Sequence, residues 1–222
     1  DREVESEEKS LDVHKYGCVM ALIPDPVASR IQAFGRRIWD SHLAEEGRVR
    51  QSHVTLKYGF TDSSRETLKR VKEFFSSVKP FIVKLVKLSL FKGNDEGDVL
   101  KVDIESKELR RLNAQITKAF PCYDKYPSYI PHLTIAYLLP SNSDGYAAFK
   151  PEFIGSEVII DKLEWAGANG VREIIQLGQT PILPSMGRKV MSAYNETSGG
   201  ALVGAPRQYR KKIKEQNQLK MV

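Results

Sequence analysis

Two short stretches of this chain repeat one chemistry-bearing pattern. His53-Val54-Thr55-Leu56 and His132-Leu133-Thr134-Ile135 both read His, apolar, Thr, apolar, and His132 lies 79 residues beyond His53. On a β-strand, residues i and i+2 share a face. Each imidazole would stand beside its own Thr hydroxyl, and the intervening apolar residues would point into a core. Side by side, two such strands offer a proton acceptor, a proton donor and two hydroxyls to one cleft. Hydroxyls of this kind hold an oxyanion such as a phosphate. His53, Thr55, His132 and Thr134 are therefore the expected catalytic residues, in a set suited to acid–base cleavage of a phosphodiester with no metal.

A single His-x-Thr is also what a plain amphipathic strand looks like. The chain has four His, and two of four meeting a Thr two positions on arises in roughly 2% of such chains at ordinary Thr usage. The repetition favours a site over coincidence.

Neighbours sort by the same alternation. Lys57 shares the face of His53 and Thr55 and would add positive charge near a phosphate, unless it is a solvated strand end. The matching position in the second motif is Ala136, so the site is not symmetric there. Tyr58 and Tyr137 fall on the opposite face, as core residues. Tyr126 and Tyr129 lie in the loop before His132, where a tyrosine can stack on a base or simply pack the loop. Arg48 and Arg50 precede the first motif in a basic loop, Gly47 to Gln51, and can reach a phosphate. Lys57, Tyr129, Tyr126 and Arg50 are kept as substrate-binding candidates. Trp39 and Trp165 read as packing aromatics. His42 falls at a helix end and His14 in a polar lead-in, neither with a Thr partner.

Several elements must position these residues. Tyr16 to Ile23 is an apolar run of strand length. Asp25, as N-cap, and Pro26 open a helix reaching about Leu43. The first motif occupies a strand from Ser52 to Tyr58. Ser63 and Glu66 form a capping box for a helix to about Ser77. Phe81 to Phe91 and Val99 to Ile104 pair as a hairpin around Gly93–Gly97. Ser106 caps a helix to about Phe120, and the second motif occupies a strand from His132 to Leu138. Two last strands follow, at about 158–165 and 172–177. This order is α+β, with sheets that each draw strands from separated parts of the chain, as two similar lobes around a central cleft.

The whole chain has 222 residues, 41% hydrophobic, and a net charge of +6. That length and composition suit one packed domain with a tail. A basic balance fits a polyanionic partner such as a nucleotide or RNA. Much of the excess sits in Arg207, Arg210, Lys211, Lys212, Lys214 and Lys220. The expected organisation is a flexible lead-in at 1–14, a catalytic domain at 15–180, and a basic flexible tail at 181–222 open to nucleic acid contact. Two cysteines, Cys18 and Cys122, fit a reducing compartment. No signal peptide or membrane-length apolar run is visible, so a cytoplasmic location is expected. No Cys/His cluster has metal-ligand spacing, and no cofactor is expected. The first residue, Asp1, fits a domain cut from a longer protein or a processed product.

The paired His-x-Thr motifs, their spacing, and the Pro in Ile130-Pro131-His132-Leu133-Thr134 resemble the 2H phosphoesterases, the group that includes the 2′-5′ RNA ligase-like proteins. The resemblance spans roughly Tyr16 to Leu177. It implies a bilobal α+β fold, two antiparallel sheets with outer helices, and a metal-free site built from both His and both Thr. It also implies the substrate class: 2′,3′-cyclic phosphates, 2′-5′ or 3′-5′ linked oligonucleotides, or cyclic nucleotides. Two other readings stay open, a nucleotide-binding module that does not cleave, and an interaction domain of a larger protein.

Overall fold

The computed structural model describes residues 15–93, 97–124 and 128–178. The lead-in with His14, the loop residue Tyr126 and the basic tail, with its expected nucleic acid contact, lie outside the described residues. All described residues belong to the first of two units into which the chain divides, Asp1–Pro181.

Among the described residues, nine strands form two antiparallel sheets. They are β1 (Gly17–Leu22), β2 (Leu43–Arg48), β3 (His53–Phe60), β4 (Phe81–Phe91), β5 (Asp98–Glu105), β6 (His132–Leu138), β7 (Glu157–Ile160), β8 (Lys162–Ala166) and β9 (Arg172–Gln176). One sheet has the order β3-β1-β8-β9, the other β2-β6-β5-β4-β7. Helices α1 (Val27–Gly35), α2 (Arg65–Ser76), α3 (Lys107–Ala119) and α4 (Ser143–Ala147) complete the α+β fold. The first motif thus sits on β3, at the edge of one sheet, and the second on β6, inside the other. The two motif strands contact each other where the sheets meet. α3 packs on β3 and α1 on β6. Val54, Leu56, Leu133 and Ile135, the apolar positions of the two motifs, belong to one core with Leu109, Leu112 and Ile116 of α3. Burying each such side chain stabilises the fold by about 1.5–3 kcal/mol.

Three local expectations are corrected. The helix expected to run to Leu43 ends at Gly35. There the Arg48 guanidinium takes the carbonyls of Gly35 and Ile38, satisfying groups a helix end leaves bare. Leu43–Arg48 is instead an edge strand on β6, with Glu45 and Glu46 exposed as charges on an edge commonly are. The cap of α2 is Ser64, whose Oγ accepts from Thr67 N at 3.2 Å, because Asp62 fixes Ser64 and Thr67. Ser63 Oγ accepts from Ala168 N instead. The single late strand expected over 158–165 is two, parted by Asp161. β7 joins β4 and β8 joins β1, so this short stretch passes from one sheet to the other.

Both motif strands carry the same irregularity. Val19 pairs with Lys57 and Met20 with Thr55, which leaves Leu56 as an extra residue on β3. Leu100 pairs with Ala136 and Lys101 with Thr134, which leaves Ile135 extra on β6. Leu56 and Ile135 are the same position of the two motifs. A bulge of this kind breaks the two-residue alternation beyond it. Hence Lys57 and Ala136 are buried, and Tyr58, expected in the core, is exposed.

Candidate active site

The two histidines are held in one way. His53 Nδ1 lies 2.8 Å from the Gln51 carbonyl oxygen, and His132 Nδ1 lies 2.7 Å from that of Ile130. Each acceptor belongs to the residue two before its histidine. A carbonyl can only accept, so Nδ1 carries the hydrogen and donates it. The neutral ring then keeps its lone pair on Nε2, which can accept a proton. Among the described residues, neither the Thr55 nor the Thr134 hydroxyl has a hydrogen-bonding partner, and both threonines are half-buried.

Each imidazole lies within electrostatic reach of a buried charged group that sequence patterning did not single out. Near His53, the buried Glu164 carboxylate of β8 takes the Arg172 Nε–H and, on its other oxygen, the Gln51 side-chain amide at 2.8 Å. Gln51 therefore links Glu164 to the histidine it orients. Beside His132, the buried Lys101 of β5 donates to Ser89 Oγ at 2.7 Å and to Asp103, and its ammonium lies 4.2 Å over the Phe91 ring. Phe91 meets His132 edge-on at 4.9 Å. A buried Lys or Glu inside an apolar strand is itself a signal, because such charges are rarely buried without a partner.

Burial dominates the titration of both imidazoles. It pushes His53 below its ordinary value of 6.5, against the opposing pull of the Gln51 carbonyl and Glu164. It pushes His132 down too, helped by the Lys101 and His53 charges and opposed by the Ile130 carbonyl and Asp103. Charge on His53 thus disfavours charge on His132, so the pair holds its first proton more readily than its second.

The remaining candidates separate. Lys57, expected on the face of the histidines, is corrected: the bulge at Leu56 turns it away, and its buried ammonium binds Thr117 Oγ1 of α3 at 2.8 Å and the Asp124 carboxylate. Tyr129, expected to stack on a base, spends its hydroxyl on the Thr55 carbonyl at 2.9 Å and packs against the core. Burial raises its pKa, so that hydroxyl stays a donor. Arg50 is exposed and lines a cavity with Thr134. Trp165 is fully buried and meets Phe60 edge-on, while Trp39 is exposed. His42 bonds Tyr146 through Nδ1 at 2.9 Å. Among the described residues, no group of three or more His, Cys, Asp or Glu could hold a metal, and no helix is long and apolar enough to cross a membrane.

Comparison with known proteins identifies the family and the fold. Residues 23–164 match the family model of the 2′-5′ RNA ligase superfamily. A protein of Geobacillus kaustophilus (strain HTA426) named "Putative phosphoesterase GK0864" is 30% identical over 156 residues, covering 67% of this chain and 84% of that one. The crystal structure of E. coli LigT complexed with 3′-AMP superposes with a TM-score of 0.54 at 13% identity, covering 73% of this chain and 95% of LigT. The shared fold is thus the two-sheet fold of LigT.

Proposed function

The chain belongs to the 2′-5′ RNA ligase superfamily, a branch of the 2H phosphoesterases, and we propose that it is a phosphodiesterase that cleaves a nucleotide or oligonucleotide by His53/His132 acid–base catalysis. The observation that carries this reading is the matched pair of Nδ1–carbonyl bonds, which leaves both Nε2 atoms for proton transfer. The 3′-AMP bound to LigT supports a nucleotide as substrate.

One Nε2 takes the proton of a water or a ribose 2′-hydroxyl as that oxygen attacks phosphorus. The bond from phosphorus to the leaving ribose oxygen breaks in line. The other imidazole, protonated at Nε2, gives its proton to that oxygen. The histidines end with their protonation states exchanged, and the roles reverse in the opposite direction. Each transfer contributes about 10²–10⁴-fold. The Thr55 and Thr134 hydroxyls donate to the non-bridging oxygens, where charge builds in the transition state. Glu164, through Gln51, holds the His53 ring in its tautomer.

The test is incubation of the full chain, with EDTA present, against 2′,3′-cyclic nucleotides, 2′-5′ and 3′-5′ oligoadenylates, and cyclic di- and trinucleotides. The His53→Ala/His132→Ala double variant is the control. Cleavage of a panel member that the control lacks identifies the linkage. Binding without cleavage of any member would make this a nucleotide-binding module. Activity lost to EDTA would overturn the metal-free mechanism.

A further inference from the structure

Resting on that reading, we infer that the cavity beside Thr134 is a second phosphate subsite, so that the substrate carries another phosphate on the nucleoside joined to the scissile one. The cavity, of about 220 Å³, opens where α1 faces the start of β3 and the middle of β6. Thr134 and Ser52 form part of its wall, so the cavity reaches the second motif and the residue that precedes His53. Ile31, Gly35 and Ile135 give it an apolar floor suited to a sugar or base face.

Its mouth is cationic. Arg36, just past the end of α1, and Arg50, just before the first motif, both line it and are both exposed. Among the described residues, neither guanidinium is paired with a carboxylate, and no acidic residue lines the cavity. The third lining arginine, Arg48, is different: its guanidinium is spent on the Gly35 and Ile38 carbonyls and on Asp40. Arg48 holds the helix end where Arg36 projects, and it leaves Arg36 and Arg50 as the free pair. Gln32 holds the other half of the mouth, donating from Nε2 to the Arg50 carbonyl at 3.1 Å. Two unpaired guanidiniums lining one cavity supply the N–H donors by which arginine takes up a phosphate. A cyclic mononucleotide with one phosphate would leave that mouth unused. A nucleotide carrying a second phosphate, through its 5′ oxygen, would fill it.

Calorimetric titration of the full chain tests this with three ligands: adenosine 3′-monophosphate, adenosine 3′,5′-bisphosphate, and the bisphosphate with its 5′-phosphate methylated. The bisphosphate should bind at least about ten-fold tighter than the monophosphate, a gain typical of charge-assisted bonds. The gain should shrink in Arg36→Gln and in Arg50→Gln, vanish in the double variant, and fall as salt is raised. A gain shared by the methylated ligand assigns the subsite to the next linkage of a chain. A gain confined to the free bisphosphate assigns it to a 5′ end. Equal affinity for monophosphate and bisphosphate in the unaltered protein overturns the subsite and leaves the catalytic reading standing. Failure of all three to bind overturns both.

Discussion

Tyr129 donates its hydroxyl hydrogen to the main-chain carbonyl of Thr55 at 2.9 Å, so the loop that leads into His132 is fastened to the strand that carries His53. Arg110 of α3 fixes the same loop by donating to the Tyr129 carbonyl at 3.1 Å. The two motifs lie on different sheets, and this bond is a direct polar tie between them. Tyr129→Phe keeps the ring and removes only the tie. It should cost about 1 kcal/mol of stability, by urea denaturation. It should also lower kcat/KM severalfold, because small misplacement of catalytic groups is expensive. An unchanged kcat/KM would mean that strand spacing does not depend on the tie.

In the proposed mechanism each imidazole is a proton-transfer partner. His53→Ala and His132→Ala should each lower kcat by about 10²–10⁴-fold with little change in the far-ultraviolet circular dichroism. The double variant should be scarcely worse than the worse single variant, since groups that act as a unit are not additive. Thr55→Ala and Thr134→Ala should cost less. Multiplicative losses in the double His variant would show the two rings acting independently.

Burial lowers both imidazoles below the ordinary value of 6.5, and the proposed mechanism needs one ring charged and one neutral. The profile of kcat/KM against pH should be a bell whose alkaline limb already falls below pH 6.5. The linkage runs in the same direction. A ring whose folded value is depressed is neutral in the native state when the unfolded chain has begun to take up protons. Stability should therefore be fully present above pH 6.5, decline as pH falls below it, and level off once the folded rings are also charged. Urea midpoints measured across that range should show the slope, and the double His→Ala variant should flatten it.

The motifs were legible because a two-residue period survives in sequence and because a repeat of rare residues is conspicuous. The strands bearing Val54, Leu56, Leu133 and Ile135 follow from that pattern, and the cap at Ser106 follows from local hydrogen bonding. The bulges at Leu56 and Ile135 were not legible. A bulge leaves composition untouched and only shifts the partner strand, so strict alternation puts Lys57 and Tyr58 on the wrong faces. Leu43–Arg48 has no apolar alternation, and its strand state comes from pairing with residues about 90 positions away in sequence. The Glu164–Gln51 link is likewise long-range, joining a late strand to the residue that orients His53.

That link makes a prediction of its own. Glu164 pulls the His53 value upward against burial, so Glu164→Gln should let it fall further. The bell of the kcat/KM profile should then move to lower pH. A merely structural role for Glu164 would lower kcat/KM at all pH values and leave both limbs where they were.

Lys57 offers the sharpest contrast between alternation and structure. If it reached the substrate phosphate, its removal would cost at least ten-fold in kcat/KM, as loss of a charge-assisted bond does. The structure instead commits its ammonium to Thr117 and Asp124, with Lys57 buried and Asp124 half-exposed. A buried pair of this kind contributes little net stability, because taking the lysine charge out of water offsets the attraction. Lys57→Met keeps the apolar stem and lets the Asp124 carboxylate turn to solvent. Stability should change by less than about 1.5 kcal/mol, and kcat/KM by less than about three-fold. A ten-fold loss of kcat/KM at unchanged stability would return Lys57 to the substrate, and would mean that its bond to Asp124 is released when a phosphate enters the cleft.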